Sequence, residues 1–439
     1  MSTARKPSVL VIFLTVFIDL VGFGIVVPLV PIYSKHLVPD CVHQVWAQGF
    51  TIGVIIAAFS AMQFIFSPIW GRWSDRFGRR PILLISTAGA AASYVLFAVS
   101  AVLPSHRAGL ILIILSRAFA GLFGGNITVA QAYIADITPP ETRSKRMGLI
   151  GMAFGLGFIF GPAIGGLSLK HIGGAGPGAI AAALCTANFL LAFVILAESR
   201  QLSSQHVAPR PHLDQWKHTL TEPKIGLLVI VFFLATFCFS CFESTLPLLV
   251  SDNFHIDIQH DETSASTVAY LFVFCGVIGA FVQGGLIGRL VKQMGEPKLI
   301  ALSLVLTAIS LAVLPFIGGE ANLSWKILFH PAGRSWLLML GALALLSVGT
   351  SLTRPPLFGL LSNLTPAHEQ GANIGVAQGA GSLSRILGPI FATTLLPFLP
   401  ALPYLICTAV LLGTTVLVVQ QLGRSSQSTG TAGAADAAK

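Results

Sequence analysis

The sequence predicts an all-α integral membrane protein, with twelve transmembrane helices arranged as two pseudo-symmetric six-helix bundles. Three observations lead there. Of 439 residues, 54% are apolar and only 10% are charged, against about 25% charged in an ordinary soluble domain. Twelve apolar segments recur, each close to the ~20 residues that a helix needs to cross the hydrocarbon core. The first six and the last six segments also share matching punctuation at nearly constant offsets.

Taken in order, the spans are 9–32, 48–70, 82–103, 108–135, 147–168 and 178–197, then 225–250, 266–287, 299–317, 336–360, 372–396 and 402–422. The first follows the basic "MSTARKP". Its apolar run is too long for a signal-peptide core and lacks a small-residue cleavage site, so it reads as a retained helix. The second and third flank "GRWSDRFGRRP" (71–81), which packs four arginines, one aspartate and two glycines between nearly uncharged stretches. The fourth overruns the bilayer, and the fifth is paced by glycines. The sixth ends at the longest connection, 198–224, whose Ser, Pro and His content reads as a flexible linker with a short surface helix around Trp216. Residues after 422, "GRSSQSTGTAGAADAAK", are low in complexity and read as disordered. The expected organisation is an N-terminal bundle 1–197, a linker 198–224, a C-terminal bundle 225–422 and a tail 423–439.

Orientation follows from lysine and arginine alone. With the N-terminus inside, the outer loops hold Lys35, Arg107, Lys170, Lys326 and Arg334, and the spans hold Arg117, Arg354 and Arg385. The rest of the 26 fall in inner loops and tails. Both termini are thus expected in the cytoplasm, and the net charge of +9 reflects topology rather than nucleic-acid binding.

The halves echo one another. "TPPETRSKRMG" (138–148) aligns with "TPAHEQGANIG" (365–375) at an offset of 227, which also carries Gly161-Pro162 onto Gly388-Pro389. "GRWSDRFG" (71–78) is echoed by "GRLVKQMG" (288–295), with Lys292 in the place of Asp75. Two parallel six-helix repeats describe an alternating-access transporter with its site where the halves meet.

Four stretches carry a family resemblance. "DLVGFGIVVPLVP" (19–31), "GRWSDRFGRRP", "RAFAGLFGGN" (117–126) and the series Gly148, Gly157, Gly161, Pro162, Gly165, Gly166 together resemble the major facilitator superfamily. Within it they resemble the drug:proton antiporters related to tetracycline efflux pumps. The resemblance implies a gate loop of Gly71, Asp75, Arg76, Gly78, Arg79, Arg80 and Asp136. Asp75 would sit at the N-terminal end of the eleventh span, where the helix dipole favours an anion, and Arg79 would pair with Asp136. It also implies that the glycine series of the fifth span seals one state and favours exchange over uniport. Ser93 stands where tetracycline pumps carry an aspartate in the third span, so tetracycline itself is not the expected substrate.

Charges inside spans are costly and mark function. Asp19, Arg117 and Glu243 are therefore the candidates for proton and substrate coupling, with Asp19 and Arg117 as plausible partners for each other. No histidine of the eleven lies within a span, so the proton carrier is expected to be a carboxylate. Gln63, Asn126, Gln131 and Gln378 are candidates for a polar cavity wall, although membrane bundles also use such amides as packing glue. The six cysteines are scattered, and Cys238 and Cys241 lack nearby loop ligands, so no metal or cofactor is expected. There is no P-loop motif and no nucleophile–base set, so neither direct ATP drive nor enzyme catalysis is expected.

The function implied is proton-coupled efflux, by antiport, of a small amphiphilic or cationic compound across a bacterial-type inner membrane. The expected partners are that substrate, protons and the lipid bilayer, with no nucleic acid, and the chain is expected to be monomeric. A proton-coupled metabolite or sugar importer of the same fold, or a transport-inactive membrane receptor or assembly protein, are the alternatives.

Overall fold

The computed structural model describes residues 7–26, 29–30, 33, 41, 45–200, 211–255, 262–319, 333–396 and 398–436. The long helices are α1 (Val9–Val26), α2 (Val45–Phe77), α3 (Arg79–Ser100), α4 (His106–Phe123), α5 (Asn126–Asp136), α6 (Pro140–Ile172), α7 (Gly176–Ile195), α8 (His212–Thr221), α9 (Pro223–Phe254), α10 (Glu262–Phe281), α11 (Ile287–Met294), α12 (Glu296–Val313), α13 (Arg334–Leu364), α14 (Gln370–Leu395) and α15 (Leu402–Asp436). Among the described residues, eleven helical segments are long and apolar enough to span a membrane. The twelfth predicted span is α14, which forms a helix although its first half, "QGANIGVAQGAGS", is too polar to count as apolar. Prolines 68, 162 and 247 sit inside α2, α6 and α9 without ending them. A long membrane helix tolerates the missing bond because neighbouring groups satisfy the freed carbonyl.

The chain divides into two compact units. One comprises Met1–Thr219 and Leu361–Leu383; the other comprises Leu220–Leu360 and Ser384–Lys439. In the first unit α1 packs along α6 and α7, α3 packs along α4 and α7, and α2 lies against α4. Its core gathers Val21, Ile25, Tyr94, Phe97, Ile113 and Cys185. In the second unit α12 and α9 both pack on α15. α10 runs through a π-helical turn at Val282–Leu286 into α11, and Val282, Ile287, Val291, Leu299 and Leu352 close a core around that turn.

Two local features depart from the expectation, and a third agrees with it. The fourth span, expected as one helix, is broken between α4 and α5 at Gly124-Gly125. The side chain of Trp70 on α2 donates to the Leu122 carbonyl and that of Gln63 to the Gly124 carbonyl, so the break is satisfied from a neighbouring helix. The linker contains a helix, α8, around Trp216, as the sequence predicts. The last helix runs on to Asp436, into the residues whose composition predicts disorder. The stretch contains no proline, which would end a helix.

The two basic turns of the repeat share one backbone device. Gly78 (φ 98°, ψ 160°) precedes α3, and Gly295 (φ 77°, ψ 160°) precedes α12. Only glycine occupies that region without strain. Each turn thus reverses the chain in a single residue.

Candidate functional site

The first unit holds an ion-pair network where α2 meets the start of α14. Asp75 Oδ1 accepts the Gly371 amide at 3.0 Å, and Oδ2 accepts the Ala372 amide at 2.8 Å. A helix N-terminus offers such orphan amides and a favourable dipole to an anion. Arg79 and Arg200 each place a guanidinium nitrogen 2.8 Å from Asp75 Oδ1. Arg79 is wholly buried and reaches Asp136 as well, at 2.9 Å, while donating to Ser74 Oγ. At the same point the α2 and α14 backbones touch. A Cβ on Gly371 would lie 2.9 Å from Asp75 Oδ1, and one on Gly71 would lie 2.6 Å from the Gly371 carbonyl carbon. Of the loop residues singled out in the sequence, Arg76 stands apart, exposed and 5.2 Å over the Phe77 ring.

Residues that sequence reasoning passed over complete this network. Glu198, just after the sixth span, accepts the amides of Arg79 and Arg80 at 2.8 and 3.0 Å, capping α3 where Gly78 has no side chain to do so. Arg80 in turn donates to the carbonyls of Phe193 and Leu196. Arg143 at the start of α6 donates to Ser362 O and Asn363 Oδ1 at 3.1 and 3.2 Å. From α8, Gln215 and Thr219 donate to Asn373 Oδ1 at 3.2 and 2.8 Å. Trp216 stacks obliquely on Phe64 at 5.5 Å, and His218 reaches Glu369 at 3.3 Å. The only signal in the sequence was an acidic "ESR" placed to face a basic turn.

Deeper in the same unit, Asp19 is buried on α1. Its carboxylate accepts from Asn126 Nδ2 and lies 3.9 Å from Cys185 Sγ. The suggested pairing of Asp19 with Arg117 is not made. Arg117 holds its guanidinium 5.3 Å over the Phe59 ring, with Nη1 lacking a hydrogen-bond partner. The glycine break turns α5 so that Asn126, nine residues beyond Arg117, reaches Asp19 first. The buried phenol of Tyr94 lies within electrostatic reach of both charges.

The remaining amides bond to one another rather than standing alone. Gln378 donates to Gln131 Oε1 at 2.8 Å, and Ser382 donates to Gln63 Oε1 at 2.9 Å, so they tie α14 to α5 and α2. The glycine series of α6 separates by face. Gly157, Gly161 and Gly165 all meet α1: a Cβ on Gly157 would lie 2.7 Å from Leu20 O, and one on Gly165 would lie 2.8 Å from Ile25 O. Gly161 abuts the Gly24 backbone. Gly148 is buried at the start of the series, Pro162 is half-buried, and Gly166 points into open space.

In the second unit, Glu243 lies about two-thirds of the way along α9. It is exposed and within electrostatic reach of Arg385. Among the described residues no group of His, Cys, Asp or Glu is arranged to hold a metal ion.

Comparison with known proteins gives the following. A family profile described as Major Facilitator Superfamily matches residues 12–389 and 286–435. The chain is 30% identical over 390 residues to a class D tetracycline resistance protein of Salmonella ordonez, covering 88% of each. It is 27% identical to multidrug resistance protein 2 of Bacillus subtilis, again over 88% of each. Among solved structures it resembles the human organic anion transporter MFSD10 (TETRAN), with a TM-score of 0.76 and 22% identity over 94% of this chain and 100% of that one. It also resembles the proton:xylose symporter XylE, with a TM-score of 0.70 and 16% identity over 94% and 95%.

Proposed function

The chain belongs to the major facilitator superfamily, and from that premise we propose that it exports a small amphiphilic compound in exchange for protons. It is a multi-pass transporter of small molecules, and members of the superfamily are not enzymes. The proposed cycle is alternating access between bundles 1–197 and 225–422, in a bacterial-type inner membrane, with both termini cytoplasmic and the transporter monomeric.

One observation carries the proton coupling. Asp19 is buried in a spanning helix and is held by neutral donors, Asn126 and Cys185, rather than by an arginine. Such a carboxylate can exchange a proton without breaking an ion pair. Proton arrival at Asp19 then changes the charge of a group that Asn126, at the start of α5, directly senses. Glu243 is the second candidate carrier.

Gating is assigned to Asp75, Gly71, Gly78, Arg79, Arg80 and Asp136, joined by Glu198 and Arg200. In this arrangement Asp75 binds the first amides of α14, so the start of α14 cannot leave α2 without breaking charge-assisted bonds. The glycine face of α6 against α1 makes a seam that admits little solvent, which favours exchange over leak. The relatives named for tetracycline and multidrug resistance support export, at an identity that leaves the compound open.

The test is proton flux in proteoliposomes loaded against a panel of amphiphilic compounds. Substrate-triggered proton movement opposite to the substrate supports antiport. Movement in the same direction would establish symport, and compound movement without protons would remove the coupling.

A further inference from the structure

Arg354 and Arg385 lie within spanning helices of the second unit, and nothing in the coupling scheme uses them. Their placement is specific. Beyond Ser384, α14 runs alongside α9 in a fixed register: Ser384 Oγ donates to Phe233 O at 2.8 Å, and Cys241 Sγ lies 3.3 Å from Gly388 O. Gly388 permits the approach, since a Cβ there would lie 2.9 Å from the Ser240 Cβ. That register sets Arg385 beside α9 below the level of Glu243. Arg354, on α13, places its guanidinium carbon 5.3 Å over the Phe232 ring, which packs edge-on against Phe358. Arg385 is within electrostatic reach of both Glu243 and Arg354.

Two guanidiniums and one carboxylate leave the cluster net positive. Both arginines are half-exposed and Glu243 is exposed. Charged side chains at this depth face water or protein rather than lipid, so the exposed parts line a polar space. A guanidinium presents a planar fork that matches a carboxylate or sulfonate bidentately, and its charge acts strongly where the surroundings are poorly polarisable. Phe232 itself is buried, and its ring steadies the Arg354 guanidinium that lies over it.

We propose that Arg354 and Arg385 form an anion-binding subsite in the second unit, which takes the carboxylate or sulfonate group of an amphiphilic organic anion. This rests on the transport reading above and narrows its substrate class. Glu243 sets the selectivity of the subsite: it disfavours a second negative charge until it is protonated or the ligand displaces it.

The experiment measures binding in purified protein, so its outcome is independent of whether transport is coupled to protons. The probes are 1-naphthoate and 4-phenylbutyrate, each against its neutral amide, and 1-naphthylmethylammonium, in phosphatidylcholine nanodiscs. The expected result is tighter binding of the carboxylates than of their amides by tenfold or more, with the ammonium ion weakest. Arg385→Gln and Arg354→Gln should each remove most of that difference, Arg385→Lys should retain part of it, and Glu243→Gln should enlarge it. Should a glutamine variant fail to fold, the carboxylate-to-amide ratio in the wild type and in Glu243→Gln decides alone. Equal binding of acid and amide, preference for the ammonium ion, or no binding of either acid would overturn the proposal. Loss of carboxylate binding on adding phosphatidylglycerol would reassign the subsite to a lipid headgroup and overturn it equally. Anion binding without any flux would leave the subsite standing and refute only the transport reading.

Discussion

Replacing Asp75 by asparagine keeps the shape of the gate and removes its charge. In the structure that carboxylate accepts two helix-terminal amides and faces two guanidiniums, all within 2.8 to 3.0 Å. Removing one partner of a buried ion pair costs about 3–5 kcal/mol, because the other charge stays buried. Arg79 retains Asp136, which places the effect at the lower end. The amide of the new asparagine would also point one donor at another donor, the Ala372 or Gly371 N–H. A loss of about 3 kcal/mol specific to the closed gate lowers its population relative to the open state by roughly a hundredfold. The direct readout is hydrogen exchange in the peptide covering residues 365–375, whose Gly371 and Ala372 amides are the ones released. Exchange there should accelerate by one to two orders of magnitude while peptides from α3 and α7 stay unchanged, and transport should fall. Unchanged exchange at Gly371 and Ala372 together with wild-type transport would refute the gate assignment.

Further expectations concern other contacts. Gly157→Leu puts a side chain where even a Cβ would lie 2.7 Å from Leu20 O; overpacking of about 1–3 kcal/mol should lower the melting temperature and produce proton leak without substrate in liposomes. Asp19→Asn keeps a partner for Asn126 but removes the titrating group, so substrate-triggered proton flux should vanish while substrate binding persists and loses its pH dependence. Glu198→Gln weakens the cap on α3 by about 0.5–2 kcal/mol; a drop of a few degrees in melting temperature and faster exchange over residues 71–81 would show it. A Glu198→Gln protein identical to wild type in both would mean the cap is redundant.

The spans were legible because the bilayer imposes length and apolarity on each one, and the sequence states both directly. Even α14 is legible as a span, although Gln370, Asn373, Gln378 and Ser382 spend their polar groups on neighbouring helices and the linker helix. What escaped detection lies in the connections. Asp75, Arg79 and Asp136 stand together in the structure; in the sequence only the family resemblance joined them. Glu198, Arg200 and Gln215 join the same region, but their partners are distant in sequence and a polar linker residue carries no periodic signal. The sequence marks Asn126 as a candidate cavity residue and Arg117 as a partner for Asp19. The geometry reversed the choice, because a two-glycine break redirects the chain between them.

The cap that Glu198 places on α3 bears on how the chain can be cut. The second copy of the turn carries its own acid, Glu296, in the first turn of α12, whereas the first copy obtains Glu198 from 119 residues farther along. The repeats are therefore unequal in self-sufficiency. A fragment ending at the sixth span would lack the acid that starts its third helix and Arg200, one of the two arginines that face Asp75. A fragment extended through α8 would carry both, together with Gln215 and Thr219. Co-expressed halves should accordingly reassemble when the scission point follows Thr221 and fail when it precedes Glu198, although both points lie between the same two apolar spans.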